Sequence, residues 1–346
     1  MLPEAIEVLV MIAAVFAMAL AFSPPAPRRH LLVKGGTGLL GTAAIAAVPT
    51  VDLAVLVLLG LAVLDAAAGG TRSFAIRLRL PALGVALLAL ALAFSRFAGP
   101  DTLERFAAVG LAAGLAAAVG VVPYLHPFDP EEGASSSPIV WIAFIGPVLA
   151  TVLVWRAHGL LSADAGSAFG AMLIGLGLIN MAWGSLGAWV TDNTVTAWRY
   201  SFVADWGLVL CGFGLTIADG QRAALLVVFT IVLGRLPLYL GSRQALREKT
   251  DTGRPVNLIV GAVLAGAAPS AGFAARVLLL RGATQLYWPL ALVLLLGMLL
   301  WLPGSLRLGR SLGRPHGRQA IGIVIVVAIN ILAGLYPLPL FSAANL

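Results

Sequence analysis

Charged residues are scarce in this chain. They make up 11% of its 346 residues, whereas hydrophobic residues make up 60%, and the mean hydropathy is +0.99. Soluble globular domains carry about 25% charged residues, so the composition excludes that class and indicates a membrane-embedded protein. The formal charge of +7 is therefore assigned to arginines in the loops between spans, where it fixes topology, and not to a nucleic-acid-binding surface.

Cysteine and the common cofactor motifs are also missing or nearly so. Cys211, the single cysteine, lies in an apolar stretch, which excludes an internal disulfide and a four-cysteine metal site. The sequence lacks GxxxxGK[ST], HExxH, CxxC and CxxCH motifs. We therefore expect this chain to hold no nucleotide, metal or redox cofactor and to carry no catalytic residues of its own.

Long apolar runs predict an all-α polytopic membrane protein. A membrane-spanning helix needs about 17–25 predominantly apolar residues, and the chain offers twelve such segments. Because the loops between them are short, we predict a single transmembrane domain over residues 1–346. The predicted spans are 5–22, 31–48, 51–68, 81–97, 106–123, 138–156, 167–189, 201–218, 223–241, 256–280, 285–306 and 319–337.

The distribution of positive charge predicts the orientation. With twelve spans, fourteen arginines and lysines fall on one side of the membrane and five on the other. The positive-inside rule makes the richer side cytoplasmic. Both termini are then expected on the periplasmic or exterior side of a bacterial inner membrane.

Two arginines interrupt the apolar runs: Arg235 within 223–240, and Arg276 after a proline break at Pro269 within 256–280. A charge at bilayer depth costs about 2.5–3.5 kcal/mol on insertion scales. Each arginine therefore either faces the bundle interior, a partner or water, or reaches the interface by snorkelling.

Asp205 and Asp65 are the acids expected at membrane depth. Asp205 lies six residues after Arg199, so the two side chains do not share a helix face. An interhelical partner is therefore the favoured interpretation for Asp205.

A proline-rich segment, VGVVPYLHPFDPEEGASSSPIV at 119–140, separates two predicted helices and predicts a second break, near Pro123–Pro138. Its acids fit a solvated loop. His126, between prolines, is interpreted either as a packed or capping residue or as a proton carrier.

Five motifs in order resemble the antiporter-like membrane subunits of respiratory complex I, Mrp-type antiporters and membrane-bound hydrogenases. The segment at 119–140 is similar to that family's Pro-Phe-His-x-Trp-Leu-Pro-Asp stretch, and NTVTAWRYSFVADWG at 193–207 keeps its Tyr, Ser and Gly. IVLGRLPLYLG and AGAAPSAGFAAR are similar to two lysine-bearing helices, with Arg235 and Arg276 at the lysine positions. AGLYPLPLF near the end is similar to the family's Gly-x-Tyr-Pro-x-Pro-Leu ending.

The chain also departs from that family. Ala62 and Ala118 stand where a glutamate and a lysine are expected, and a further ionisable site falls near Gly146 or Pro147. The expected organisation is a shortened member with diverged N-terminal helices over 5–105 and an antiporter-like core over 106–346. Since arginine stays protonated in proteins, the substitutions predict a degenerate proton path.

The resemblance implies a non-catalytic membrane subunit of an energy-converting, ion-translocating complex, of the complex I, hydrogenase or inorganic-carbon uptake kind. It implies partner membrane subunits and peripheral redox or catalytic subunits, which would hold any quinone or redox centre. A stand-alone secondary transporter is the first alternative. A membrane-embedded lipid-modifying enzyme using His126, Asp129 and His158 is the second.

Overall fold

The computed structural model describes residues 51–68, 71–97, 101–118, 161–248, 254–314, 317–344 and 346, with isolated positions in 40–50 and at Arg156. Its described elements are helices. They are α1 (Val51–Ala68), α2 (Thr71–Phe97), α3 (Asp101–Ala118), α4 (Ala163–Val190), α5 (Thr194–Gly214), α6 (Ala218–Thr230), a π-helical turn (Ile231–Arg235), α7 (Leu236–Glu248), α8 (Pro255–Ala265), α9 (Ala271–Leu286), α10 (Trp288–Leu300), α11 (Leu302–Arg310), α12 (Arg318–Leu335) and α13 (Leu338–Ala343).

Helix α5 lies at the centre of this bundle. Almost every residue from Ala197 onward is buried, including the large side chains of Trp198, Phe202 and Trp206. The helix begins at Asn193, whose side chain accepts hydrogen bonds from two amides of the first turn. The one acid of this helix, Asp205, therefore sits on the most enclosed element that the structure describes.

Glycines allow α4 and α5 to pack with their backbones nearly touching. Gly170, Gly177 and Gly184 repeat every seven residues along α4, where they face Gly214, Gly207 and Ala204 of α5 in turn. A Cβ at Gly177 would lie 2.6 Å from the carbonyl oxygen of Gly207, and one at Gly207 would lie 2.5 Å from that of Gly177. Small residues at such positions are the usual basis of close helix packing in membranes.

The helix expected to break at Pro269 does break there. Helix α8 ends at Gly266, which adopts the left-handed conformation with φ 68°. Helix α9 starts after Ser270, whose hydroxyl accepts from the amide of Phe273. The two half-helices leave backbone groups that neighbouring side chains must satisfy, because lipid cannot.

A π-helical turn precedes Pro237. The amide of Leu236 donates to the carbonyl of Ile231, five residues back, which widens the helix. A proline inside a regular α-helix would collide with the carbonyl four residues earlier. The wider turn relieves that conflict, and Arg235 is its last residue.

Several predicted boundaries shift. Span 51–68 coincides with α1, but α2 begins ten residues before the predicted 81 because its first turns carry arginines that were assigned to a loop. In the described residues, three helices are long and apolar enough to cross a membrane: 163–190, 218–239 and 288–310. Spans 5–22, 31–48 and 138–156 lie wholly or largely outside the described residues, so the count of twelve stays a prediction.

Contacts between loops follow the predicted alternation of sides. Arg307 donates to the carbonyl of Thr191, and both lie on the side predicted to be cytoplasmic. Arg105 lies 3.1 Å from Asp164, and both lie on the opposite side. These contacts support the grouping of loops; which side is cytoplasmic stays a prediction, as does the division at residue 105.

We predict that Gly177→Ala destabilises the bundle, because its new methyl group would overpack the α4–α5 contact at a cost of about 1–3 kcal/mol. Gly175→Ala, on the same helix, is the matched control because a Cβ there meets nothing within 4 Å. Thermal unfolding of the detergent-solubilised protein should show a lower midpoint for Gly177→Ala alone. Equal midpoints for the two variants would contradict the packing assigned to α4 and α5.

Candidate functional site

A buried ion pair joins α5 to the π-helical turn. Arg235 Nε lies 2.6 Å from Asp205 Oδ2, and the two side chains are 5% and 6% exposed. Arg235 therefore lies in the bundle interior and does not snorkel. Its partner is interhelical, and it sits near the middle of α5.

Arg235 also contacts the C-terminal end of α8, the first half of the broken helix. Its Nη2 donates to the carbonyl of Leu264 at 3.3 Å, and the indole of Trp301 donates to the same oxygen at 3.0 Å. The Trp301 ring lies under the guanidinium, 4.8 Å from its carbon to the ring centroid. This arrangement supplies partners for a carbonyl that the break at Gly266 would otherwise leave free.

Arg276 approaches the same region from α9. Gly266 faces its guanidinium so closely that a Cβ at this position would collide with it. Glycine is thus required here for its backbone conformation and for space. The Arg276 residue is only partly buried, although its Nε is enclosed and has no hydrogen-bond partner among the described groups.

Two small cavities flank Asp205. The larger, of about 30 Å³, lies between Asp205, Arg235 and Arg276 and is also lined by Thr230 and Asn330. A smaller one of about 10 Å³ adjoins Asp205 and Arg276 on the other side. Polar side chains from α5, α6, the π turn, α9 and α12 therefore converge on one buried acid.

The structure brings three of the predicted site residues together: Asp205, Arg235 and Arg276. Arg199 is buried on α5 but is not among the described residues that line these cavities. Asp65 belongs to α1, and its side chain lies outside the described part, as does the whole of His126. The assignment of these residues as ion-path or structural charges stays a prediction.

Sequence reasoning missed three polar contributors, namely Ser185, Trp301 and Asn330. Asn330 interrupts the apolar run of α12, a signal of the same kind as the two arginines. Ser185 lines the smaller cavity, and its buried hydroxyl has no partner in the described residues. Trp301 carried no signal of its own, because tryptophan is common near span ends.

The described residues do not assemble a metal site. No group of three His, Cys, Asp or Glu side chains comes together in that part of the chain. What the cavity offers is two guanidinium groups around one carboxylate, which suits anion recognition or electrostatic support.

Comparison with curated proteins gives one sequence relative. No family model matches the sequence. The NADH-quinone oxidoreductase subunit N of Gluconacetobacter diazotrophicus is 26% identical over 211 residues. The match covers 56% of this chain and 44% of that protein, so the aligned part is less than half of the relative's length.

Solved structures share the fold over nearly the whole chain. A chain of the Mrp complex from a Dietzia species matches with TM-score 0.78 and 14% identity, over 99% of this chain and 44% of its own. A chain of the membrane-bound sulfane sulfur reductase, an archaeal respiratory membrane complex, matches with TM-score 0.76 and 16% identity. This match covers 99% of the present chain and 81% of the reductase chain. A chain of respiratory complex I from Thermus thermophilus matches with TM-score 0.72 and 19% identity, over 96% and 84%.

The fold is that of a multi-pass helical membrane protein with an antiporter-like bundle. At these identities the structural matches establish the fold alone, and the curated relative adds a match in sequence. Together they confirm the resemblance to the antiporter-like membrane subunits that the motifs predicted.

We predict that Asp205→Asn destabilises the protein by about 3–5 kcal/mol, because it leaves Arg235 charged, buried and without its counter-charge. Asp164→Asn is the matched control: its pair with Arg105 is 67% and 55% exposed, and such pairs contribute at most about 1 kcal/mol. Thermal unfolding midpoints measure both variants. If both variants lowered the unfolding midpoint by the same small amount, the buried pair would not support the fold.

Proposed function

We propose that this chain is a membrane subunit of an energy-converting, ion-translocating complex of the respiratory type. The observation that carries the proposal is the position of Arg235 and Arg276, on the two helices that resemble the family's lysine-bearing helices, around one buried aspartate. The sequence relative is a subunit of NADH-quinone oxidoreductase, and two of the similar structures are respiratory complexes by name, which supports the proposal. Because this chain spans only part of the sequence relative, its activity and partners are proposals of our own.

The proton path through this subunit is degenerate in this proposal. A relay needs groups that change protonation, and buried lysines suit that task because burial shifts their pKa readily. Arginine keeps its charge in proteins. Arg235 and Arg276 therefore act as fixed charges that hold Asp205 and the broken helix in place.

The partners in this proposal are other membrane subunits and peripheral redox or catalytic subunits, which would hold any quinone or redox centre. Large apolar side chains project outward along two C-terminal helices and offer a surface for lipid or for a neighbouring subunit. On α10 and α12 they include Leu292, Leu296, Ile321, Val324 and Leu332. We place the chain in a bacterial inner membrane with twelve spans and both termini outside.

We predict that Arg235→Ala prevents assembly, because the loss of its guanidinium leaves the buried Asp205 without its ion-pair partner and removes one of the two donors to the Leu264 carbonyl. Arg281→Ala is the control, since that side chain is 66% exposed and its pair with Asp219 is worth little. Affinity purification of tagged chain from native membranes should recover partner subunits with wild type and Arg281→Ala but not with Arg235→Ala.

Two outcomes would contradict this proposal. If Arg235→Ala assembles normally and proton translocation by the complex is lost, the residue belongs to a working path. If the wild-type chain purifies alone and exchanges ions in liposomes without partners, the chain is a stand-alone transporter. The broken helix beside the charged cavity is the observation that favours that alternative.

A further inference from the structure

The cavity between α5, the π turn and α9 carries an excess of positive charge. Arg235 and Arg276 contribute two permanent charges, and Asp205 is the acid among the described residues that line the cavity. Among the described residues that line the cavity, one positive charge is therefore left without a counterpart. Burial of an unpaired charge is costly, and Arg276, although only partly buried as a residue, has its Nε enclosed.

The cavity also presents donors that the described residues leave unused. Nη1 of Arg235 and Nε of Arg276 are enclosed and have no hydrogen-bond partner there, and Arg235 is 4% exposed. Gly272, in the first turn of α9, lines the same space. The positive end of that helix dipole adds to the attraction for a negative charge.

Two of the opposing acceptors are already engaged. The carbonyl of Leu264 receives hydrogen bonds from Arg235 and Trp301. One carboxylate oxygen of Asp205 is engaged by Arg235 Nε. No second acid stands among the described residues that line the cavity, so the second positive charge has no carboxylate of its own there.

We propose that this cavity binds one small monovalent anion of the size of chloride, held between Arg235 and Arg276. The charge of the ligand follows from the one positive charge in excess. Its size follows from the cavity volume of about 30 Å³, since about 10–15 Å³ admits a single water-sized species. Sulfate and gluconate are larger than chloride, and we expect this space to exclude them.

This site is independent of the complex to which the chain belongs. In this proposal the buried cluster of Asp205, Arg235 and Arg276 binds a ligand, and the helix break at Gly266 forms part of the anion site. Water alone would satisfy the free donors but would leave the excess charge in place.

The test is direct binding of radiolabelled chloride to the full-length chain, purified in detergent with whatever subunits accompany it. Ionic strength is held constant with gluconate. We expect one saturable site per chain, competed by bromide but not by sulfate. Absence of saturable binding in the wild type would overturn the proposal without recourse to any variant.

Variants then locate the site. Arg276→Gln removes the excess charge and should abolish saturable binding, whereas Arg276→Lys keeps the charge and should retain binding with lower affinity. Arg281→Gln, on the exposed face of the same helix, should bind as the wild type does. Chloride binding that persists undiminished in Arg276→Gln, or that is lost equally in Arg281→Gln, would show that the anion binds elsewhere.

If Arg276→Gln cannot be purified, the thermal unfolding midpoint of the wild type answers the same question. A ligand that binds the native state alone raises the midpoint in a saturable way. Chloride and bromide should raise it, and sulfate at equal ionic strength should not. A rise that sulfate reproduces would be a general salt effect and would count against the site.

Discussion

The contact between Asp205 and Arg235 is the constraint on which the rest of the described bundle depends. It places an ion pair where the surrounding side chains are apolar, so neither partner can be lost without exposing the other to an environment that does not solvate it. Because Asp205 lies on the central helix, the pair fixes α5 against the π turn. The same guanidinium then reaches Leu264, which ties the broken helix to the core.

Local backbone irregularities make this arrangement possible. Pro237 and Pro269 each prevent a regular helix. A wider π-helical turn precedes Pro237, and a loop interrupts the helix at Pro269. Both irregularities lie next to the charged cavity, where Arg235 and Trp301 donate to the carbonyl that the break frees at Leu264. At membrane depth, non-helical backbone is tolerated at such places because it is buried in protein and does not face lipid.

Much of this could be predicted from the sequence. Charges and prolines within apolar runs are visible in the sequence, and they predicted the two arginines, the acid of α5 and the break at Pro269. The π turn and the shared acceptor at Leu264 could not be predicted, because they depend on which helices meet and at what register. The start of α2 was misplaced because arginines in its first turns look like a loop, although a helix extends readily beyond the membrane.

Replacing lysine by arginine changes what a buried cationic site can do while keeping its sign. A lysine can lose its proton and so avoid the cost of burial, whereas arginine must be matched by a counter-charge at all times. With two arginines around the cavity, its two positive charges are fixed by composition and not by pH. Such a site is suited to hold a structure or a ligand, and it is poorly suited to pass protons onward. The chemistry of the side chains, more than the likeness of the fold, therefore sets the role of this cavity.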